Sequence, residues 1–311
     1  MAKKRNRGQV AEQGQSSGDL SAGEAPEQAG LDPVLQGVLS CLQAGRLVLC
    51  VGAGFGQLAG RPTWRELAEK LADTVTDKLA DAEMAAEVRE LLDTRPLMAA
   101  SFIKRSLGER FDGELTRLIP KNGTLPTALA VLPQLPFRAV VTTALDDVVE
   151  RTYREAQSTA PVYTYRDAEQ LRRDGRGRYL LRLFGDPLKG GDVVFGAADL
   201  QRLAADPALR GLLGELFQRR SFLFVGFAAE DPDFEALVER LVAVACPTPG
   251  TAKHYAVLPG LSRVAREELH AAFGIQVLDE DDAMAVLGAL RSALSERGGD
   301  ALPDDDDLEA W

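Results

Sequence analysis

Residues 46–64, RLVLCVGAGFGQLAGRPTW, are the stretch that decides the fold. Arg46 to Val51 is a short apolar run stopped by glycine, which predicts a fully buried parallel strand. Gly52 and Gly54 have no Cβ, so the turn can be tight and its N–H groups can approach a diphosphate closely. A helix start follows at residues 61–64. A strand followed by G-x-G is also typical of an ordinary strand-to-helix turn, so the segment predicts a nucleotide site only together with the rest of the chain.

The composition fits one large α/β domain, or one domain with a smaller insert. The chain has 311 residues, of which 45% are hydrophobic and 27% charged, so it can bury a stable core. We find no apolar run near the roughly 20 residues that span a bilayer, and no hydrophobic leader at the N-terminus. We therefore expect a cytoplasmic protein that does not bind membranes. Cys41, Cys50 and Cys246 are odd in number and far apart, which predicts buried free thiols and no metal site.

The net charge of −11 is concentrated at one end of the chain. Residues 299–311 are rich in aspartate, and the body between the two ends is also acidic. Because nucleic-acid binding relies on clustered positive charge, we expect no nucleic-acid partner.

Both ends of the chain are predicted to be tails. Residues 1–30 contain hardly any large apolar side chain and are expected to be disordered. Residues 31–298 are expected to form the folded domain, with a helical insert at about 62–132. Residues 299–311 form an acidic tail, which is either simply solvated or a short docking peptide for a partner.

Between the tails, predicted strands and helices alternate. This pattern indicates an α/β fold with a doubly wound parallel sheet, right-handed crossovers and a helical insert after the first strand. The predicted strands are 46–51, 138–142, 162–165, 179–184, 193–195, 221–227, 255–258 and 275–278.

Parallel sheets of this kind bind ligands beyond the carboxyl ends of their strands, so the residues at those ends are the candidates for a site. They are Gly52–Gly54, Thr142–Asp147, Phe184–Pro187 and Gly226–Phe234. A structural alternative applies to Asp146, Asp231 and Asp233, which are well placed to cap or begin helices.

Taken together, six motifs resemble the bacterial sirtuin-like (silent-information-regulator-like) domain. In order they are GAG…GxPxW, TT-x-x-D, x-GD, LFVGF…DPDF, HYAVLP and FGIQVL, and the resemblance covers roughly residues 34–295. The resemblance implies a Rossmann-like fold that binds NAD or a related nucleotide, and a family best known for NAD-hydrolysing proteins in anti-phage defence. It also implies a nucleotide-contacting set made of Gly52, Ala53, Gly54, Phe55, Thr143, Asp146 and Gly226.

The chain departs from the family pattern at four positions. Gly56 stands where the family has serine, Ala144 where it has asparagine, Leu145 where it has an aromatic residue, and Phe184 where it has histidine. In the family, the asparagine and histidine are the groups that would place water or the ribose and act as base. Ala144 and Phe184 can do neither, and loss of a positioned base alone costs about 10²- to 10⁴-fold in rate.

Few residues are left to replace that base. Asp146, Asp186 and Asp231 are the remaining catalytic candidates, although the ordinary pKa of an aspartate, about 4, suits ribose deprotonation poorly. The two histidines, His254 and His270, are expected to be structural or on the surface.

Two hypotheses follow. The first is a catalytically impaired sirtuin-like protein that binds a nucleotide and acts as a sensor, scaffold or partner, with a protein partner or a second copy of itself. The second is an active NAD glycohydrolase with a rearranged site, in phage defence. The chain does not resemble a sirtuin deacylase, because it has no paired CxxC motifs. A Rossmann acid is expected about 20 residues after the glycine loop, where this chain has its helical insert, so NAD, NADP and ADP-ribose derivatives all remain open.

Overall fold

The fold is built on one parallel sheet. The computed structural model describes residues 32–79, 82–175, 177–190, 192–228, 234, 236–246 and 253–296. Within these residues the sheet has seven strands in the order β3-β4-β2-β1-β5-β6-β7, and every adjacent pair is parallel. The strands are β1 Leu47–Val51, β2 Ala139–Thr142, β3 Val162–Thr164, β4 Tyr179–Arg182, β5 Ser221–Val225, β6 His254–Ala256 and β7 Ile275–Val277.

This strand order confirms the predicted α/β, Rossmann-like architecture. From β1 the chain runs to β2, β3 and β4 on one side, and then crosses to β5 on the other side of β1. The position between β1 and β5 is therefore the topological switch point, where such sheets bind ligands. Val51 is level with Thr142 on one side and Val225 on the other, so the three central strands end together.

Helices pack on the sheet and connect its strands. They are α1 Pro33–Gln43, α2 Gly54–Leu58, α3 Trp64–Leu79, α4 Ala82–Thr94, α5 Pro96–Leu107, α6 Phe111–Leu118, α7 Val148–Glu155, α8 Ala168–Asp174, α9 Ala197–Ala205, α10 Pro207–Arg219, α11 Ala243–Ala245, α12 Arg263–Phe273 and α13 Ala283–Glu296. A π-helical segment, Ala236–Val242, precedes α11, and 3₁₀ turns cover Gly108–Arg110, Thr127–Gln134 and Tyr165–Asp167. We find no helix among the described residues that is both long and apolar enough to cross a membrane.

The central strands are buried on both faces. Every residue of β1, β2, β4 and β5 is buried, which is why these strands are nearly continuous apolar runs instead of alternating ones. Arg182 is the charged exception and ends β4. The apolar faces of the helices cover this sheet and complete the core.

Local sequence explains where the helices begin. Asp32 Oδ1 accepts the N–H groups of Val34 and Leu35 at 2.8 and 3.2 Å, so Asp32 caps the start of α1. Thr63 and Glu66 form a reciprocal capping box at the start of α3, with bonds of 3.0 and 2.8 Å.

The segment between β1 and β2 is helical. It holds α3 to α6 and the 3₁₀ turn Thr127–Gln134, and it is interrupted at Arg95 before Pro96 and again near Pro120 and Pro126, where the sequence has its breaks. The two predicted tails lie outside the described residues, and the proposed division of the chain stays a prediction.

The predicted strand at 193–195 is wrong. This segment is a buried irregular loop, in which Val194 N–H donates to Phe184 O at 2.9 Å and Phe195 N–H donates to Asp199 Oδ2 at 3.0 Å. The Lys104 ammonium donates to Val193 O. These local bonds satisfy the backbone in place of a sheet ladder, so an apolar run there does not need to join the sheet.

Two further differences affect the site. β4 ends at Arg182, so Phe184 lies in the turn after the strand and not within it. The short helix α2, which begins at Gly54 within the glycine loop, was not predicted from the sequence.

Candidate functional site

The glycine loop after β1 packs directly on the loop after β5. Gly52 N–H donates to Val225 O at 2.9 Å, and Gly54 N–H donates to Gly226 O at 2.8 Å. A Cβ on Gly52 would lie 2.5 Å from Gly226 O, and one on Gly54 would lie 2.8 Å from the same oxygen. The glycines are thus required for two backbones to meet at the switch point.

This geometry corrects one prediction. The N–H groups of Gly52 and Gly54 are not free to bind a diphosphate, because both donate to the β5 end of the sheet. No hydrogen bond to another described residue is found for the N–H groups of Ala53, Phe55 and Gly56. Gly226 itself has a φ of +71°, and a Cβ there would lie 2.5 Å from the Phe55 ring, so glycine is needed here as well.

A cavity of about 280 Å³ opens beside this junction. It lies at the carboxyl ends of β1, β5 and β6 and reaches the start of α13. Its lining is formed by Ala53, Gly54, Phe55, Gln57, Leu58, Thr63, Trp64, Gly226, Phe227, Ala228, Val257, Pro259, Asp281, Asp282, Ala283 and Met284. The volume is near the lower end of the range for small-molecule sites, about 300–1,000 Å³.

The wall of the cavity is mostly apolar, with two carboxylates at one side. Asp282 Oδ1 accepts the N–H of Met284 at 2.8 Å, and both Asp281 and Asp282 are exposed. Sequence reasoning missed this wall. The sequence did contain a signal for it: the acidic residues 279–282 follow the last strand, β7, and so lie at a carboxyl end of the sheet like the other candidate site residues.

The end of β2 forms a second, much smaller space. Thr142 Oγ1 donates to Val51 O at 3.0 Å and accepts the N–H of Ala144 at 3.1 Å, which fixes the turn after the strand. The space measures about 10 Å³. Its wall consists of Ala53, Pro62, Trp64, Leu67, Ile119, Thr143, Ala144, Leu145 and Asp146.

Asp146 is buried beside the glycine loop. Its Oδ1 accepts the N–H of Val148 at 2.8 Å, at the entry to α7. Its Oδ2 lies against Gly56, where an added Cβ would overlap that oxygen and lie 3.0 Å from Cγ. Burial raises the pKa of Asp146, and the nearby Arg182 and Arg61 oppose the rise only in part.

A buried ion pair between Arg182 and Glu150 lies next to the turn that carries Asp146. Arg182 Nη1 donates to both carboxylate oxygens of Glu150, at 2.6 and 2.8 Å. Its Nε donates to Gly185 O at 3.1 Å and its Nη2 to Leu145 O at 3.0 Å, while Asp186 Oδ1 lies 3.9 Å from Nη2. One guanidinium thus holds together the turn after β4, helix α7 and the turn after β2. The signal for it in the sequence was a lone arginine in an apolar strand.

The structure separates the predicted site residues into two groups. Ala53, Gly54, Phe55 and Gly226 line the cavity, and Gly52 supports them from the end of β1. Thr143 and Asp146 lie on the other side of the loop and border the small space, together with Ala144.

The other candidates lie elsewhere. Phe184 is buried in the core, and the Asp186 carboxylate accepts the N–H of Leu188 at 3.0 Å and faces Arg182. Asp231 and Asp233 lie outside the described residues. His270 is exposed on α12.

His254 is buried at the amino end of β6, at the opposite end of the sheet from the cavity. Its Nδ1 accepts the N–H of Phe222 at 3.2 Å, and its ring packs against Phe217. Burial lowers the pKa of His254 to about 4.

Comparisons with known proteins agree with the motifs. A family model described as the SIR2-like domain matches residues 138–278, a range that begins after the glycine loop. Two curated relatives are each named "NAD(+) hydrolase ThsA". The protein from Cytobacillus dafuensis is 23% identical over 209 residues, which cover 65% of this chain and 39% of that protein. The protein from Bacillus cereus (strain MSX-D12) is 25% identical over 199 residues, which cover 61% of this chain and 38% of that protein. The chain thus spans about two-fifths of the length of these relatives.

Among solved structures, a Sir2 complex with the inhibitor EX-527, 2'-O-acetyl-ADP-ribose and a deacetylated p53 peptide matches with a TM-score of 0.38 and 12% identity. That match covers 85% of this chain and 99% of the other. The domain model and the relatives support the predicted resemblance: residues 138–278 match the SIR2-like domain, and the chain is similar to the bacterial sirtuin-like (SIR2-like) family.

Proposed function

We propose that this chain is a nucleotide-binding, catalytically impaired sirtuin-like protein that acts as a sensor, scaffold or partner. The observation that carries the proposal is the cavity at the switch point between β1 and β5, the place where doubly wound sheets bind nucleotides. NAD or a related nucleotide is the ligand that the names of the two curated relatives support.

The residues around the cavity fit one end of such a ligand. Phe227 and Trp64 offer apolar surface to a base, and Asp281 and Asp282 offer acceptors for hydroxyl or amino groups. Ala53 and Phe55 line the cavity, and their backbone N–H groups are the donors that could bind a phosphate there. NAD would supply a glycosidic bond to nicotinamide, which an active member of the family would break.

The impairment is expected because Ala144 and Phe184 stand at the two positions where the family has polar groups. Ala144 and Phe184 are both buried and neither can donate, accept or titrate through its side chain. An oxocarbenium-like transition state at the ribose would find no positioned base there. We expect a rate lower by about 10²- to 10⁴-fold than that of a site with one.

The alternative is an NAD glycohydrolase with a rearranged site, in anti-phage defence. Two observations favour it: both curated relatives are named NAD(+) hydrolases, and burial raises the pKa of Asp146, which moves this carboxylate toward the range of a useful base. In this alternative Asp146 acts as the base in place of the family's histidine, where this chain has Phe184.

One experiment separates the two. The purified protein is incubated with NAD, nicotinamide release is followed by chromatography, and binding is measured by calorimetry. The proposal expects saturable binding without turnover. Turnover that Asp146→Ala abolishes, while the exposed Asp93→Asn on α4 retains it, would replace the proposal with the alternative.

A second pair of variants ties binding to the cavity. Met284→Trp fills the cavity from the start of α13, whereas Met98→Trp enlarges a half-exposed methionine on α5 outside the cavity lining. We expect Met284→Trp to weaken nucleotide binding at least tenfold and Met98→Trp to leave it unchanged. Equal binding by both variants would place the ligand elsewhere.

The proposed cellular setting is the cytoplasm, with a protein partner or a second copy of the chain. Light scattering with and without nucleotide tests whether the protein self-associates. Deleting residues 299–311 tests whether the acidic tail recruits the partner, because a complex that survives the deletion does not use it.

A further inference from the structure

We propose that the amino-terminal edge of the sheet binds the acidic tail of the same chain, residues 299–311. The binding surface consists of five arginines and is called the arginine edge below: Arg46, Arg138, Arg178, Arg219 and Arg220. It lies at the opposite end of the sheet from the cavity, so binding of the tail there is independent of the nucleotide site.

The topology of the sheet brings these arginines together. The strands β4, β2, β1 and β5 are adjacent in that order, and the residues directly before them are Arg178, Arg138, Arg46 and Arg220. Because all the strands are parallel, their first residues lie at one edge. The Arg138 backbone N–H donates to Leu47 O at 2.8 Å, and that of Ser221 donates to the carbonyl of Arg46 at 3.1 Å. The edge from β2 to β5 is thus two strand spacings wide, about 10 Å.

The positive charges of the arginine edge lie close enough to repel one another. Burial and the nearby Arg138 charge lower the pKa of the Arg220 guanidinium, and Arg219 and Arg46 lower it further. Tyr179 lies in the same cluster, but burial raises the pKa of its phenol, so it supplies no negative charge at pH 7. Arginine keeps its proton at neutral pH, so the repulsion persists. Arg46 and Arg219 are exposed, which leaves the cluster open to a ligand.

Within the described part of the chain, no carboxylate forms an ion pair with the arginine edge. Arg138 Nη2 donates to Gly175 O at 3.1 Å, whereas its Nη1 is buried and has no hydrogen-bond partner among the described residues. Arg176 and residues 247–252 lead into β4 and β6 outside the described part, and none of them carries a carboxylate. The edge therefore suits an anionic ligand, and a guanidinium group recognises carboxylates bidentately.

The last described helix ends at the same edge of the sheet. α13 follows β7, begins at the carboxyl ends of the strands and runs back beside α1, which leads into β1. Arg291 Nη1 on α13 donates to Gln134 Oε1 at 3.2 Å, shortly before β2 begins. Residues 297–303 separate the end of this helix from the run Asp304–Asp307. Seven extended residues reach up to about 25 Å, so the aspartates can reach the arginine edge.

The charge and the length of the tail both match the arginine edge. Its carboxylates are those of Asp300, Asp304–Asp307 and Glu309. The run Asp304–Asp307, when extended, covers about 10 Å, which is the width of the edge from β2 to β5. A tethered segment has an effective concentration in the millimolar range, which favours it over a free polyanion. The net charge of −11 also disfavours nucleic acid as the ligand.

Binding of a labelled peptide to the full-length protein tests the proposal. A fluorescent peptide of residues 299–311 is titrated by anisotropy with wild type and with a variant in which asparagine replaces all four residues of Asp304–Asp307. The variant leaves the arginine edge free, whereas the wild-type tail competes with the peptide. For a peptide Kd of about 100 µM and an effective concentration of about 1 mM, wild type should bind the peptide about tenfold more weakly. Kd values within twofold of each other, or no binding to either protein, would overturn the proposal.

Arginine variants, made in the background with asparagines at 304–307, locate the surface. Arg138→Gln together with Arg220→Gln should weaken peptide binding at least tenfold. Arg46→Gln together with Arg219→Gln changes two exposed positions, where the risk to folding is low, and should weaken binding at least threefold. The second pair decides if the first does not fold.

The matched control removes two charges elsewhere. Arg89→Gln together with Arg105→Gln, at exposed positions on α4 and α5, should leave the Kd of the peptide unchanged. Peptide binding that survives loss of the edge arginines, or that falls equally in this control, would refute the arginine edge as the binding surface.

Competition distinguishes the tail from a nucleic acid. We expect unlabelled peptide to displace the labelled peptide from the variant at lower concentration than a single-stranded oligothymidine of equal charge. Displacement by the oligonucleotide at a tenfold lower concentration than the peptide would assign the edge to nucleic acid and overturn the proposal.

Discussion

At the scale of single residues, Gly56 and Asp146 share one volume. The Asp146 carboxylate occupies the space that a side chain at position 56 would need, and it is anchored there by the N–H of Val148. Glycine at position 56 therefore leaves space for the Asp146 carboxylate, which comes from the turn after β2.

Gly56→Ser should destabilise the fold by about 1–3 kcal/mol, because the new Cβ overlaps Asp146 Oδ2 and overpacking has costs of this size. In an Asp146→Ala background the same change should have little or no cost. Urea unfolding of the four proteins of this double-mutant cycle measures the coupling. Gly113→Ser in α6, where a Cβ would meet nothing within 4 Å, is the control and should be neutral or slightly stabilising. Additive effects at positions 56 and 146 would contradict the shared volume.

At the scale of elements, the Arg182–Glu150 pair joins β4 to α7. Arg182 is 1% exposed and Glu150 is 7% exposed, so both groups have given up water for each other. Burial raises the pKa of Glu150, and the Arg182 guanidinium opposes that rise. Through this pair and its bonds to Gly185 O and Leu145 O, Arg182 holds the turns after β2 and β4 against α7 beside the candidate site.

Glu150→Gln should cost about 3–5 kcal/mol in the free energy of unfolding, because it removes the bidentate partner of a buried charge and leaves Arg182 only the more distant Asp186 carboxylate, 3.9 Å away. Chemical denaturation at neutral pH measures the loss. Glu267→Gln is the matched control: it breaks an i,i+4 pair with Arg263 whose side chains are 70% and 92% exposed, and it should cost less than about 0.5 kcal/mol. A loss below 1 kcal/mol for Glu150→Gln would mean that the pair is not essential to the junction.

At the scale of the whole molecule, His254 couples stability to pH. Its folded-state pKa, about 4, lies below its ordinary value of 6.5 because burial disfavours the charged ring. On acidification the unfolded chain binds the proton first, so the contribution to stability is complete above about pH 6.5 and falls as the pH drops toward 4.

Between pH 7 and pH 5.5 this single group should cost the native protein roughly 1 kcal/mol of stability. His254→Asn, which keeps a hydrogen-bond acceptor for Phe222 N–H, should remove that part of the pH dependence. The comparison is made by urea unfolding at the two pH values. His270→Asn, at the exposed histidine, serves as control and should change nothing. If wild type and His254→Asn lose the same stability on acidification, His254 is protonated in the folded protein.

The large features of the molecule follow from local sequence. The parallel sheet, the glycine loop and the helical segment between β1 and β2 are all predicted by apolar runs, glycines and prolines within short windows. The segment 193–195 shows the limit of that reasoning. Its apolar side chains are buried in the core, with the Phe195 ring against Trp64 and Phe111, while Lys104 and Asp199 satisfy its backbone in place of a neighbouring strand.

The details of the site depend on contacts that are remote in sequence. Gly52 and Gly54 donate their N–H groups to residues about 170 positions later, which no local pattern announces. Met284 and Asp282 reach the cavity from the start of the last described helix. The lone Arg182 signals a buried charge, but its partner Glu150 becomes known only from the packing of α7 on β4.

The contact between Asp146 and Gly56 also sets an order in which this chain could change over generations. A mutation that placed serine at position 56 would bring its Cβ into the space that the Asp146 carboxylate occupies. Asp146 would have to move or be replaced first, although its carboxylate anchors the entry to α7. A change to a serine-bearing loop therefore has to begin with a substitution at Asp146 that brings no gain by itself, so the present pair of residues resists stepwise replacement.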